Sequence, residues 1–324
     1  MFVTSQLKEM PVIIDGDRVE VAHAISCELG EGALWHEQLG AYLHVDIYGP
    51  SLLCAGPAVY IHDAYHGAAV RVLPLPSFVG TVVPSSARGG AAELLVALRD
   101  GFARLDIASG AVTPLANPDG VPTNRWNDGK CSPEGRLWAG TMGAPGLVTA
   151  GAGGLFVLER DEATARRAVS GVTISNGLAW SADGKTMYYI DTALERVDAF
   201  DYDAAAGTLA NRRVAFTIPE GTGHPDGCCT DAAGNLWVAQ WGGSRVVAYR
   251  PEDGTVVAEV RVPAAHVSSV AFGGPGLADL YITTAKEHLS AEERAAQPLA
   301  GHCFIVRSCG FVGVPAGVFK SERG

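Results

Sequence analysis

Charge is scarce in this chain of 324 residues. Asp, Glu, Lys and Arg make up only 18%, and the balance is acidic, with a formal net charge of −11. No Lys/Arg-rich run occurs, so the electrostatic footprint of a nucleic-acid or anionic-membrane partner is missing and neither partner is expected. No stretch approaches the about 18 consecutive apolar residues of a transmembrane helix. The N-terminus, MFVTSQLKEMPVIIDGDRVEV, has no unbroken apolar core, so no secretory signal is expected. The seven cysteines are odd in number, show no CxxC spacing and include the adjacent pair Cys228 and Cys229. That pattern argues against a disulfide framework or a zinc–thiolate site and for reduced, mostly buried thiols. No N-x-S/T sequon occurs either. A cytoplasmic location is the expectation these absences give.

Common catalytic signatures are missing too. There is no HExxH, which removes that metalloprotease motif. There is no GxSxG elbow, which counts against a serine esterase on an α/β-hydrolase fold. GAGGLF (151–156) lacks the GxGxxG spacing and reads as a loop.

Apolar residues are plentiful, at 48%, and they are organised by a repeat. A turn followed by a short apolar run recurs in QLGAYLHVD, GGAAELLVAL, EGRLWAGT, DGKTMYYID, AGNLWVAQ and GLADLYITT. The first strand residues, Tyr42, Leu94, Leu137, Met187, Leu236 and Leu280, are spaced by 52, 43, 50, 49 and 44. Each is preceded by a further strand-like stretch and followed by another, such as GLFVLER or RVDAFDYD. Short strands rich in Val, Leu, Tyr and Trp, divided by Gly, Pro and Asp, predict an all-β fold. Repeats of this length with about four strands each predict a β-propeller. We read one domain of six blades over 1–324, with repeats starting near 29, 78, 125, 174, 224 and 267. The one plausible helix is AKEHLSAEERAAQ (285–297), with Ser290 as cap and Glu293 three residues on.

The innermost strand of each blade lines a propeller's channel, so equivalent positions converge there. Ten or eleven residues before the anchors stand Glu31, Asn127, Asn176, Asp226 and Ser269, with Gly80 and Thr81 the nearest equivalents in the second repeat. Taken singly, EG, NDG, SNG and PDG are ordinary turn sequences. At matched offsets they place two carboxylates and amide oxygens at one mouth, a donor set for a divalent cation. Asp128 is expected in the turn. His23, His44, His62 and His66 share no spacing and are expected at the surface or in packing; His224 is a candidate for the pocket's edge. Trp138 and Trp237 are expected in the core.

The stretches LGEGALWHE, RWNDGKCSPEGRLWAGTM, ISNGLAWSADGKTMYYIDT, HPDGCCTDAAGNLWVAQWGG and FGGPGLADLYITTA resemble the senescence marker protein / regucalcin / gluconolactonase-like family. The tail HLSAEERAAQPLAGHCF is similar to the family's bacterial-type sugar lactonases. The resemblance implies a six-bladed propeller holding one divalent cation, whether calcium, zinc, manganese or iron(II). It implies Glu31, Asn176 and Asp226 as metal ligands, and Arg125 and Asn127 as contacts to substrate oxygens. The implied reaction is hydrolysis of an aldonolactone, a small-molecule sugar lactone, with Asp226 also a candidate general base. Trp126 departs from the more usual Phe or Pro, and Pro145 stands where some members carry an acid, so no one member's sugar preference is transferred. Two rivals are an esterase or phosphotriesterase-type hydrolase on the same fold and a non-enzymatic calcium-binding propeller. A monomer and a weak dimer are both compatible with the sequence.

Overall fold

The computed structural model describes residues 10–63, 70–86 and 93–322. His66, the first nine residues of the N-terminal stretch considered above and the start of GGAAELLVAL lie outside the described residues.

The fold is all-β and propeller-like. Four antiparallel four-stranded sheets follow one another along the chain. Their first strands are Gly30–His36, Val79–Pro84, Asn124–Cys131 and Ser175–Trp180. The remaining strands form a nine-stranded sheet. It divides into the run from His224–Thr230 to Thr255–Arg261 and the run from His266–Gly273 to Cys303–Val306. These runs are joined by the single residue pair Trp241 and His266. The N-terminus completes both: Val12–Ile14 adds in parallel to Thr255–Arg261, and Glu20–His23 adds antiparallel to Cys303–Val306. That closure was not read from the sequence. All six anchor residues fall within one residue of the start of a second strand.

The first strands pack side by side in chain order, and His266–Gly273 returns to pack on Gly30–His36, closing a ring. Aromatic wedges fill the spaces between sheets. Trp126 lies between Phe102 and Phe156, with ring centroids 4.3 Å and 5.3 Å away. Trp237 meets Phe272 edge-on at 5.3 Å. Trp138 and Trp237 are fully buried, as expected; a large apolar side chain so buried contributes roughly 1.5–3 kcal/mol. The helix is shorter than expected. Only Ala291–Ala296 is helical, starting at a capping box between Ser290 and Glu293. His44 and His62 are buried in packing, and His23 stacks on His62 at 3.7 Å.

Each first strand carries a β-bulge at the same place. The register shifts between Glu31 and Leu34, Val79 and Thr81, Trp126 and Gly129, Ser175 and Leu178, Pro225 and Cys228, and Val267 and Ser269. So EG, NDG, SNG and PDG are not turns; they are bulges inside strands. A bulge leaves one residue unpaired and re-aims its side chain. The glycines permit close approach between neighbouring strands. A Cβ on Gly177 would lie 2.6 Å from the Asp226 carbonyl oxygen, and one on Gly227 would lie 2.7 Å from Oγ of Ser269.

Candidate active site at the mouth of the ring

A cavity of about 390 Å³ opens where the first strands begin. Glu31, Arg125, Asn127, Asn176 and Asp226 all line it, although they come from four different sheets. Each is buried, with 4–5% of its surface exposed. Trp241, Glu287 and His288 also line it.

Entry of the first strands is fixed by aspartates at the ends of the second strands. Asp46 accepts the backbone N–H of Glu28 at 3.0 Å and of Leu29 at 3.1 Å, just before Glu31. Asp191 does the same for Thr173 at 3.0 Å and Ile174 at 2.9 Å, just before Asn176. Sequence reasoning missed both; the signal was the Asp closing LHVD and YYID.

A hydrogen-bond chain crosses the floor. Nη1 of Arg125 donates to Oδ1 of Asn127 at 2.5 Å. Nδ2 of Asn127 donates to Oδ1 of Asn176 at 2.8 Å and to the Ser175 carbonyl at 2.7 Å. Nδ2 of Asn176 donates to the Thr192 hydroxyl at 2.7 Å, and that hydroxyl donates to the Pro225 carbonyl at 2.8 Å. Oδ1 of Asn176 keeps one lone pair beyond the bond from Asn127. Thr192 was also missed, because nothing in its sequence context marks it. The Arg125 guanidinium lies over the Tyr48 ring, 5.3 Å from its centroid.

Negative charge is crowded here. The Glu31 and Asp226 carboxyl groups are within hydrogen-bonding reach of each other, and Asp128 adds a third carboxylate. Asp128 therefore corrects the sequence reading: it is buried within a strand and accepts the Gly129 N–H at 2.7 Å. Burial, and then Asp128, push the Glu31 carboxyl up to about 8. Burial, and then Glu31, raise the Asp226 carboxyl well above the ordinary carboxylate range. Arg125 opposes both shifts but does not cancel them. Oδ1 of Asp226 is buried and has no hydrogen-bond partner among the described residues. Buried charge of one sign with an orphaned oxygen is costly unless a cation neutralises it.

Glu31, Asp226 and Asn176 thus fit a hard or borderline divalent cation through oxygen atoms. Among the described residues no trio of His, Cys, Asp or Glu is grouped to hold a metal, so the amide oxygen is essential to the set. His224 stands at the rim, exposed and paired with Glu195. Ser269 does not line this cavity; its Oγ accepts the Ala33 N–H at 3.2 Å.

An all-β ring of bulged strands presenting carboxylates and amides at one mouth defines a class: propeller-like proteins with an acidic central pocket. The chain belongs to the SMP-30/gluconolactonase/LRE-like family, whose model matches residues 29–286. It is 37% identical over 291 residues to regucalcin of Danio rerio, covering 89% of this chain and 93% of that one. It is 35% identical over 283 residues to the provisionally named sugar lactone lactonase YvrE of Bacillus subtilis, covering 85% and 90%. Among solved structures, a calcium-binding regucalcin from Agrobacterium tumefaciens superposes with a TM-score of 0.85 at 26% identity, covering 96% of this chain and 99% of that one. Among the described residues no helix is long and apolar enough to cross a membrane.

Proposed function

We propose that the protein is a metal-dependent lactonase that opens an aldonolactone to the aldonic acid. The observation that carries this reading is the convergence of Glu31, Asn176 and Asp226 with Arg125 and Asn127 on one cavity. Family membership and the resemblance to a sugar lactone lactonase support it. We read the chain as one six-bladed propeller, with the nine-stranded sheet counted as two blades because one residue pair joins its halves.

Glu31, Asn176 and Asp226 would hold the cation, which when bound supplies Lewis acidity toward the lactone carbonyl and lowers the pKa of water. Calcium, zinc, manganese and iron(II) all suit this donor set. The unpartnered Oδ1 of Asp226 is free to accept a proton from the attacking water. Arg125 presents a planar fork of donors to ring hydroxyls or to the developing carboxylate. Asn127, fixed by Arg125 and Asn176, offers its remaining capacity to a sugar hydroxyl.

The test is proton release in weak buffer from metal-stripped protein. Glucono-, galactono-, xylono- and arabinonolactone and one aryl ester would be supplied with each cation in turn, alongside Asp226→Ala. Cation-dependent hydrolysis of a sugar lactone, abolished in Asp226→Ala, is the expected result. Turnover of the aryl ester alone would favour the broader esterase reading, and silence throughout a calcium-binding platform.

A further inference from the structure

A second cavity, of about 260 Å³, lies on the same face as the first. Its walls are the hairpin at Arg99 and Asp100 and the loop from Asn117 to Asn124. Both sit at the end of the ring where the first strands begin. The Arg99 N–H donates to the Phe78 carbonyl at 2.9 Å, immediately before Val79–Pro84, and the loop runs directly into Asn124–Cys131. The hairpin and the loop are in close contact: a Cβ on Gly101 would lie 2.6 Å from the Ala116 carbonyl oxygen. Arg125 lines both cavities and so forms the wall between them.

Two groups at this second cavity lack partners. Nε of Arg125 and Oδ1 of Asn124 are buried with no hydrogen bond among the described residues, and each residue is only 4% exposed. Asn124 is held rigidly, with Nδ2 donating to Asp119 at 2.9 Å and to the Ala152 carbonyl at 3.1 Å. Residues that line the cavity thus hold one unpaired donor and one unpaired acceptor just beneath its wall. Around them stand the further acids Asp100 and Asp119, the amide of Asn117, the guanidinium of Arg99 and the indole of Trp126. A phosphate would meet Asp100 and Asp119, and an apolar group would leave Nε and Oδ1 unpaired. Hydroxyl groups donate and accept at once, so a polyol ring matches the mixture.

We propose that this cavity is a second hydroxyl-recognition compartment, and that the substrate is an aldonolactone bearing a further sugar ring. The inference rests on the lactonase reading for its chemistry, because the lactone ring occupies the central cavity. The attached sugar ring lies beyond Arg125.

The test compares glucono-1,5-lactone with cellobiono-1,5-lactone, using the full chain supplied with the cation that supports turnover. The wild type should hydrolyse the disaccharide lactone with the higher kcat/KM. Arg99→Ala combined with Asn117→Ala should lower the disaccharide-to-monosaccharide ratio about tenfold, mainly through KM. Turnover of the monosaccharide lactone alone, or a ratio that the double variant leaves unchanged, overturns the compartment while the lactonase reading stands. Calorimetric binding of cellobionate and gluconate gives a readout without turnover. Tighter cellobionate, weakened in the double variant, is expected even if neither lactone is hydrolysed, and equal affinities overturn the proposal.

Discussion

The Thr192 hydroxyl accepts from Nδ2 of Asn176 at 2.7 Å and donates to the Pro225 carbonyl at 2.8 Å, so one side chain couples two bulged strands. It orients the amide and steadies the backbone that carries Asp226. Outer partners of this kind typically change metal affinity by about 10–100-fold when removed. Thr192→Val keeps the shape and loses the hydroxyl. Its affinity for calcium or zinc, read by calorimetric titration, should fall by about tenfold or more, with kcat largely restored at saturating cation. Unchanged affinity would show that Asn176 does not need this orientation.

Asp226→Asn should separate stability from function. The substitution removes one carboxylate from a buried group of three and leaves an amide of the same shape. Hydrolysis should fall by at least about 10²-fold, the scale of a lost general base or ligand. The cation-free variant should nevertheless melt at a higher temperature than the cation-free wild type, because Glu31 then ionises without its neighbour. A lower melting temperature would mean that Asp226 stabilises the fold rather than straining it.

The same crowding sets a pH dependence. The Glu31 carboxyl is raised from 4.5 to about 8, so the folded protein holds a proton that the unfolded chain releases. Folding then binds more protons than unfolding, and stability falls as pH rises through that window. The melting temperature of cation-free protein should therefore fall as pH rises from about 6.5 to about 8. The gain on adding a divalent cation should be larger at the upper end. A gain independent of pH would count against binding at Glu31 and Asp226.

Much of this site was legible because the repeat put matched residues at matched offsets. Glu31, Asn127, Asn176 and Asp226 could be aligned without coordinates, and the cavity gathers them. Their backbone setting could not be read. A Gly after Asp or Asn is a turn signal in sequence, and only the register of the neighbouring strand distinguishes a bulge from a turn. Asp128 was misplaced for that reason. Thr192 acts through partners 16 and 33 residues away, where local pattern carries no information, and the Asp46 and Asp191 tethers reach back 17 and 18 residues, marked only by their shared place at the end of a second strand. The closure by Glu20–His23 was hidden for a related cause: a four-residue strand completing a distant sheet has no period of its own.

That closure carries its own acid sensitivity. His23 on the closing strand stacks on His62, and Nε2 of His62 is 3.0 Å from Nδ1 of His44. Burial, and then Arg307, lower His23 to about 4, while burial, and then His23, lower His44 to about 3. Burial also lowers His62, with His44 the next cause. The folded state keeps these rings neutral, whereas the unfolded chain protonates them near 6.5. Stability is fully present above about pH 6.5 and is lost as pH falls toward 4. His62→Phe should flatten the acid side of a melting-temperature profile between those values. An unchanged acid slope would place the sensitivity elsewhere.

The bulge glycines give the sharpest structural test. Gly227 follows Asp226, and a Cβ there would lie 2.7 Å from Oγ of Ser269 and 2.8 Å from the Ser268 carbonyl oxygen. The Ser269 hydroxyl can rotate, but the Ser268 carbonyl belongs to the neighbouring strand, so the strands must part. Overpacking of this kind costs typically about 1–3 kcal/mol. Gly184 is the control, because it lies in a turn with open space around its missing Cβ but with a φ of +68°. Gly184→Ala therefore incurs only backbone strain, on the order of 1 kcal/mol, whereas Gly227→Ala moves Asp226 as well. Both should lower the melting temperature. Only Gly227→Ala should also weaken cation binding and reduce kcat/KM by about tenfold or more. Equal loss of stability with wild-type cation affinity in both variants would show that strand spacing beside Asp226 does not set the geometry of the site.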